Sequence, residues 1–454
     1  MRGAALLGGV AVALGASAVA VHPAAALGIA LGIAAIAWIL SNSLNATLAF
    51  IVVLVLRPAD HFPALASMQP AKIVGLLAVL SWLITRLLRG DARVSRAPQG
   101  KWMLALTLGL ALSSTMSTDP AESWKLFTEV FLKMLIMYGL LVQLVTTKPQ
   151  AVRLHTSLAL CTVGLALGAI HVRFSGLAMV EGNRAGLVGL LGDPNDLALV
   201  LLIYVPLFVE LALDGRGLRR LFGIAMFSVL VMGLLATVSR GGALGLVAAL
   251  GCTLYDRGRL SLRLLAVPAM AAVIVLMLVL AGVNDRSSGA LTPGQLDDSA
   301  LGRLDMWQSG IRMLAHNPVF GVGFGEFPDN YQEYARNPVH WEPRDAHNSF
   351  VKAAAETGLV GFVPFMALVL LTIRTAYRGR KTEDPSDTPM ERAVRRSLFP
   401  SMVGFCVAAF FLSQCWSWFL FILFAQGAVA HEIWKPPLAQ SREPRALGTE
   451  PACP

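Results

Sequence analysis

The sequence predicts an all-α integral membrane protein of about 12–14 transmembrane helices, with one large extracytoplasmic loop containing short amphipathic helices. Three observations carry that prediction. Of 454 residues, 56% are hydrophobic and 14% charged, with a mean hydropathy of +0.63, which is more apolar surface than a soluble core could bury. The apolar residues fall in runs long enough to cross roughly 30 Å of hydrocarbon. Lysine and arginine collect at every second junction between those runs, as they do in cytoplasmic loops.

Taken in order, the first group of candidate spans covers residues 4–21, 24–40, 44–56, 73–88, 102–116 and 124–145. A second group covers 154–171, 197–213, 221–238, 242–255 and 264–283, and a last group 359–373, 398–412 and 416–429. Basic residues follow the even-numbered spans: Arg86, Arg89, Arg93, Arg96 and Lys101 after the fourth, Lys148 and Arg153 after the sixth, and Arg216, Arg219 and Arg220 after the eighth. Arg257, Arg259 and Arg263 follow the tenth span, and Arg374, Arg378, Arg380, Lys381, Arg392, Arg395 and Arg396 the twelfth. This alternation puts both termini inside and divides the chain into four parts. Residues 1–283 form about eleven transmembrane helices, 284–350 an extracytoplasmic catalytic loop, 351–433 the C-terminal helices and 434–454 a cytoplasmic tail. Arg2 and the small residues of 16–20 also resemble a signal peptide, and the run is read as a retained first helix.

The loop is too long for a connector. Leu301, Leu304, Trp307, Ile311 and Leu314 recur at helical spacing up to Asn317-Pro318, predicting an amphipathic helix. A second short helix is expected from Asp329, as N-cap, through Tyr331 and Tyr334. Gly321-Val322-Gly323-Phe324-Gly325 has no preceding strand and no following Lys-Ser/Thr, so it reads as a turn and not as a nucleotide cradle.

Composition excludes several function classes. The net charge of +9 follows membrane topology and marks no basic face for nucleic acid. Cys161, Cys252, Cys406, Cys415 and Cys453 lack C-x-x-C spacing and paired histidines, which argues against a disulfide framework or zinc site. Asp297 and Asp298 lack a convincing set of companion ligands, so no metal is expected. Glu129, Lys133 and Glu210 lie within spans and are expected to face the bundle interior, Glu129 and Lys133 pairing across four residues.

Four strings carry a family resemblance: NRAGLVGLLGDPNDLALVLL, LATVSRGGALGLVAAL, LGRLDMWQSGIRMLAHNPVFGVGFGEF and DAHNSFVKAAAETGLVGF. In content, order and separation they resemble the signatures of the O-antigen ligase and polymerase superfamily over roughly residues 182–373. The spacing from His347-Asn348 to Gly358 and Gly361 is ligase-like. The resemblance implies a bacterial inner-membrane glycosyltransferase, free of metal and cofactor, whose active site faces the periplasm. Its donor would be an undecaprenyl-pyrophosphate-linked glycan. The acceptor would be a glycolipid sugar in a ligase, a second lipid-linked repeat unit in a polymerase, or a protein in an O-oligosaccharyltransferase. A lipid-linked sugar transporter is the rival of another class. It would be expected to show related halves, and the chain shows no internal repeat.

The residues can be read beside the resemblance. Arg240 precedes Gly241-Gly242 at a helix start, where free backbone N–H groups favour an anion; an arginine at a span end also snorkels to headgroups. Arg303 opens the loop helix, where a cation opposes the helix dipole and calls for an anionic partner, Asp305 being one candidate. Arg184, near Glu181 and Asp193, is open to a local ion pair or a substrate contact. A lone loop histidine is ordinarily structural, but His347 stands within the family motif and can accept a hydroxyl proton near neutral pH. The expected mechanism therefore has His347, Arg303 and Arg240 as catalytic residues and Arg184, Asn195 and Asn348 as substrate-binding residues. His347 would deprotonate or orient the acceptor hydroxyl for a single, inverting displacement, while the arginines hold the pyrophosphate.

Overall fold

A computed structural model describes residues 42–61, 65, 67–89, 95–177, 179–180, 183–255, 298–335, 344–382 and 384–434, together with residue 32. The expected spans at 4–21, 24–40 and 264–283, Glu181, Asp297 and nearly all of the tail lie outside the described residues.

The protein is an all-α integral membrane protein. The helices are α1 (Ser43–Leu56), α2 (Pro70–Arg89), α3 (Gln99–Thr115), α4 (Pro120–Leu126), α5 (Leu132–Leu144) and α6 (Lys148–Ser175). They continue with α7 (Pro194–Ile203), α8 (Val205–Asp214), α9 (Leu218–Ala236), α10 (Arg240–Tyr255), α11 (Asp298–His316), α12 (Phe327–Tyr334), α13 (Ser349–Lys381), α14 (Pro389–Ala409) and α15 (Trp418–Ile433). A two-residue antiparallel pair, β1 (Met179–Val180) and β2 (Arg184–Ala185), joins α6 to α7. Among the described residues, seven helices or joined helices are long and apolar enough to cross a bilayer, and α10 and α15 are shorter apolar helices.

Side-chain chemistry sets the helix starts. Asn42, Asp119, Asp193, Asn348 and Ser417 accept from backbone N–H groups of α1, α4, α7, α13 and α15, and capping boxes open α6 and α14. The centre of the bundle is α15 with α7 and α8: Leu420, Phe421, Ile422, Leu423, Phe424 and Ala425 are buried, as are residues 197–211. At the periphery, α2 turns Leu76, Leu83, Leu87 and Leu88 outward. Such a surface is stable only against lipid.

The core is knitted by small residues. Adding a Cβ at Gly245 would place it 2.7 Å from the Gly404 carbonyl, and one at Gly109 2.4 Å from that of Val360. α10 therefore packs backbone to backbone on α14, and α3 on α13.

The structure revises two sequence expectations and adds two features that periodicity did not show. The amphipathic helix α11 forms, and its buried face is set by residues other than Leu304 and Ile311. Met306, Ser309, Gly310 and Met313 turn inward, while Leu304 and Ile311 are 43% and 59% exposed. Gly310 decides this, because its Cα lies so close to Val351 and Phe327 that a Cβ would meet them at 2.5 and 2.8 Å. α12 begins at Phe327, two residues before Asp329; Pro328 occupies its first turn and Phe327 is buried. Glu129 sits in a π-helical turn, Phe127–Phe131, between α4 and α5, and both it and Lys133 are exposed. The wider turn breaks the four-residue register on which their pairing relied; Glu210, by contrast, is buried as expected.

The second added feature is Gly358, which interrupts α13 without ending it. At φ 55° and ψ −162° the chain breaks and the helix resumes. The adjoining loop closes the gap: Val322 and Gly323 N–H donate to the Ala355 and Glu356 carbonyls, while Leu359 and Val360 N–H donate to those of Pro318 and Val319. All four backbone groups orphaned by the break are thus satisfied. The glycine-rich segment 321–325 is this splice, with Gly321, Gly323 and Gly325 all at positive φ.

Candidate active site

The chain segments that start α7, α10 and α13 meet at one end of the bundle. A Cβ at Gly242 would lie 2.6 Å from that of Ala198, so the first turns of α10 and α7 touch. Gly241 adjoins Phe411 in the α14–α15 linker. The segment before α13 is held to the same linker, with His347 N–H donating to Ser413 Oγ at 2.9 Å and Ser349 Oγ to the Leu412 carbonyl at 2.6 Å. The Gln414 N–H donates to Ser349 Oγ at 2.8 Å. Helix N-termini carry partial positive charge and unpaired N–H groups, so their convergence favours an anion.

Arg184 and Asn195 brace the turn that carries Arg240. Arg184 Nη2 donates to Asn195 Oδ1 at 2.7 Å and Nε to the Thr237 carbonyl at 3.2 Å. Ser239 Oγ donates to the same Asn195 oxygen at 2.9 Å, and Gly242 N–H to Ser239 Oγ at 3.2 Å. Within this turn Val238 adopts φ 50°, an outlier for a β-branched residue. The turn ends on the exposed Arg240, first residue of α10.

His347 shares that conformation at φ 46°. A non-glycine residue held there costs of order 1–3 kcal/mol and persists only when its surroundings fix it. Here the fixing contacts are the Ser413 bond and the Asn348 cap, whose Oδ1 accepts from Phe350 and Val351 N–H at 3.0 and 3.1 Å. Burial pushes the His347 imidazole below its usual range. The nearby Arg303 and Arg344 push the same way, and the carboxylates of Asp345 and Asp193 oppose them. At neutral pH the ring is uncharged, the form able to accept a proton.

A charged chain lies behind His347. Lys352 Nζ is 2.6 Å from Asp345 Oδ2 and 3.6 Å from Glu356 Oε1, and Trp416 Nε1 donates to Glu356 Oε2 at 2.7 Å. Asp345 Oδ1 also accepts the Ala346 N–H at 2.8 Å. The Asp196 side chain bonds that of Gln414.

The structure thus brings together five of the six expected residues: Arg303 beside His347, Asn348 as the cap behind it, and the Arg184–Asn195 pair, reached through Asp193. Arg240 opens α10 on the turn those two residues brace. Asp305, considered as a partner for Arg303, takes the Tyr331 hydroxyl at 2.6 Å. Asn348 is 1% exposed, its amide oxygen committed to the cap. Sequence reasoning missed Asp345, Lys352, Thr237 and Ser239. The four-residue interval between Lys352 and Glu356 was a usable signal, but Lys precedes Glu there, the weaker orientation on a helix. Asp345 lies across the helix start, where no periodicity links it to Lys352. Among the described residues, no group of three or more His, Cys, Asp or Glu side chains offers a metal-ligand set.

Comparison with known proteins supports this part of the chain. A family profile described as O-antigen ligase matches residues 223–366, a segment containing Arg240, Arg303, His347 and Asn348. The chain is 29% identical over 165 residues to an exopolysaccharide production protein, ExoQ, of Rhizobium meliloti, a match covering 32% of this chain and 35% of that one. It is 23% identical over 173 residues to an uncharacterized protein of Haemophilus influenzae, covering 34% and 42%. The chain therefore spans well under half the length of these relatives. The resemblance to the O-antigen ligase and polymerase superfamily accordingly holds, and it rests on residues 223–366.

Proposed function

We propose that the protein is a polysaccharide-forming glycosyltransferase of the bacterial inner membrane that acts at the periplasmic end of the bundle. The donor is an undecaprenyl-pyrophosphate-linked glycan and the acceptor a sugar hydroxyl. The observation that carries this reading is the seating of a half-buried His347, its imidazole held below the usual range, near Arg303 where three helix starts converge.

In this reading His347 Nε2 or Nδ1 takes the acceptor proton as the oxygen attacks the anomeric carbon. The bond to the lipid pyrophosphate breaks on the opposite side, giving inversion. Arg240 and Arg303 hold the pyrophosphate through their planar guanidinium groups and stabilise the charge that grows as it leaves. Arg184 and Asn195 act one step back by fixing the Thr237–Arg240 turn, and Asn348 by fixing the start of α13. Pyrophosphate is a good leaving group, so the mechanism needs no carboxylate pair.

A polymerase is the second reading, and the kinship with an exopolysaccharide production protein favours it. The two differ in acceptor, and disruption of the gene separates them. Loss of a ligase leaves finished polymer on the lipid carrier; loss of a polymerase leaves single repeat units. The enzymatic reading itself is tested by Arg240→Lys in the purified protein with lipid-linked glycan. Loss of the planar fork should lower transfer markedly in a protein that still inserts, and near-normal transfer would leave Arg240 as a headgroup anchor. Movement of labelled glycan across vesicles without a new glycosidic bond would identify a transporter.

A further inference from the structure

His347 hangs on a short strained segment, and the charged groups facing it come from several elements. Arg303 approaches from α11, Asp193 from the start of α7, and Arg344 and Asp345 from its own segment. Asp345 is tied into the bundle by an ion pair, and its partner Lys352 sits one turn inside α13 with 12% of its side chain exposed. The bond spans the helix start. Asp345 lies before the cap and Lys352 beyond it, so the pair draws residues 345–348 down onto α13 from one side, while Ser413 holds the His347 N–H from the other. The pair is poor evidence for stability, because the cost of desolvating Lys352 offsets part of its attraction to the half-exposed Asp345. Its value has to be sought in what it fixes.

We propose that Asp345 and Lys352 are positioning residues for His347: their ion pair fixes the left-handed turn on which the imidazole stands and sets how much negative charge faces the ring. The inference rests on His347 as proton acceptor. Lys352 holds one Asp345 oxygen, and the Ala346 N–H occupies the other. With the pair intact, the Asp345 charge is shared with an ammonium and only part of it acts on His347. Removing Lys352 releases that charge toward the ring and makes the imidazole more basic, so the neutral form is reached at higher pH. Removing the Asp345 charge makes the ring less basic, so the neutral form persists to lower pH. A purely structural pair predicts no such opposition in sign.

The test uses the full-length protein in lipid nanodiscs with isotopically labelled histidine, the His347 resonance being identified by its loss in His347→Gln. Asp345→Asn should move the imidazole titration to lower pH and Lys352→Met to higher pH. The acid limb of the transfer rate should follow in each case. Transfer by Lys352→Met should also fall on the order of a hundredfold at its pH plateau, the scale of a catalytic group misplaced by about an ångström. If Lys352→Met alone does not insert as a folded protein, combining it with Asp345→Asn and Glu356→Gln removes both carboxylates that the lysine pairs. In that background its effect on the imidazole should be far smaller, because it acts through Asp345. Unmoved titration in both single variants, or shifts of the same sign, would overturn the proposal. Opposite shifts with a transfer rate indifferent to pH would uphold the pair's hold on His347 and remove His347 as the base.

Discussion

At the scale of single residues, the site is a matter of which groups are fixed and which are free to meet a substrate. His347 is the most tightly determined: its backbone conformation, its amide and its neighbours are each fixed by a named contact. His347→Ala should cost 10²–10⁴-fold in transfer, the usual worth of a positioned proton acceptor. His347→Gln keeps a hydrogen-bonding side chain but cannot take a proton, so it should be nearly as poor; a well-active glutamine variant would make His347 an orienter. Because burial and Arg303 lower the imidazole, the neutral form accumulates as pH rises through a value below the ordinary 6.5. A rate–pH profile should therefore climb below that point and be flat across neutrality. Arg303, Arg240 and His347 were singled out from the sequence because each sits in a local motif. Lys352 and Asp345 could not, because what joins them is the geometry of a helix start.

At the scale of elements, α13 shows how far periodicity can be trusted. Its apolar run was legible, yet nothing in the sequence shows that the chain breaks at Gly358 and resumes as helix, with φ 55° and ψ −162° that belong to no regular element. The helix resumes because a loop supplies the missing partners, and that information lies some forty residues upstream. Gly358→Ala tests the arrangement. The new Cβ would stand 2.3 Å from the Val319 carbonyl at a φ of 55°, which only glycine adopts freely. Melting of the detergent-solubilised protein should drop by several degrees, and transfer should fall with it as the first turns of α13 lose their register. The amphipathic α11 was legible as a helix, while its buried face was not. There Leu304 and Ile311 remain outside while Gly310, packed against Val351 and Phe327, sets the contact.

For the whole molecule, composition and span count carried the fold class, because the demand for internally satisfied backbone in lipid leaves few alternatives. The distribution of charge between the ends is equally plain. The end opposite His347 is held by Lys148, which bridges Asp384 and Asp387 at 2.6 Å each, with Arg395 on Asp387 at 2.9 Å. α13 runs between the two ends over 33 residues, about 50 Å of helix. Asp329 and Ser386 are both exposed and belong to opposite ends. In a cysteine-free background, Asp329→Cys should react with an impermeant thiol reagent in intact spheroplasts, and Ser386→Cys only after lysis. The reverse pattern would turn the site toward the cytoplasm and remove the proposed donor from reach.

The splice at Gly358 has a consequence for how this molecule opens. Four amides, those of Val322, Gly323, Leu359 and Val360, each bridge the loop and the helix, so none can be released while the other partner stays in place. In amide hydrogen exchange such protons leave together, through one shared opening, and not in the graded order of a fraying helix. Deuterium uptake by the peptide holding 322–323 should match that of the peptide holding 359–360. Slow, equal exchange at both would mean that the His347 end of α13 is as durable as the loop that mends it.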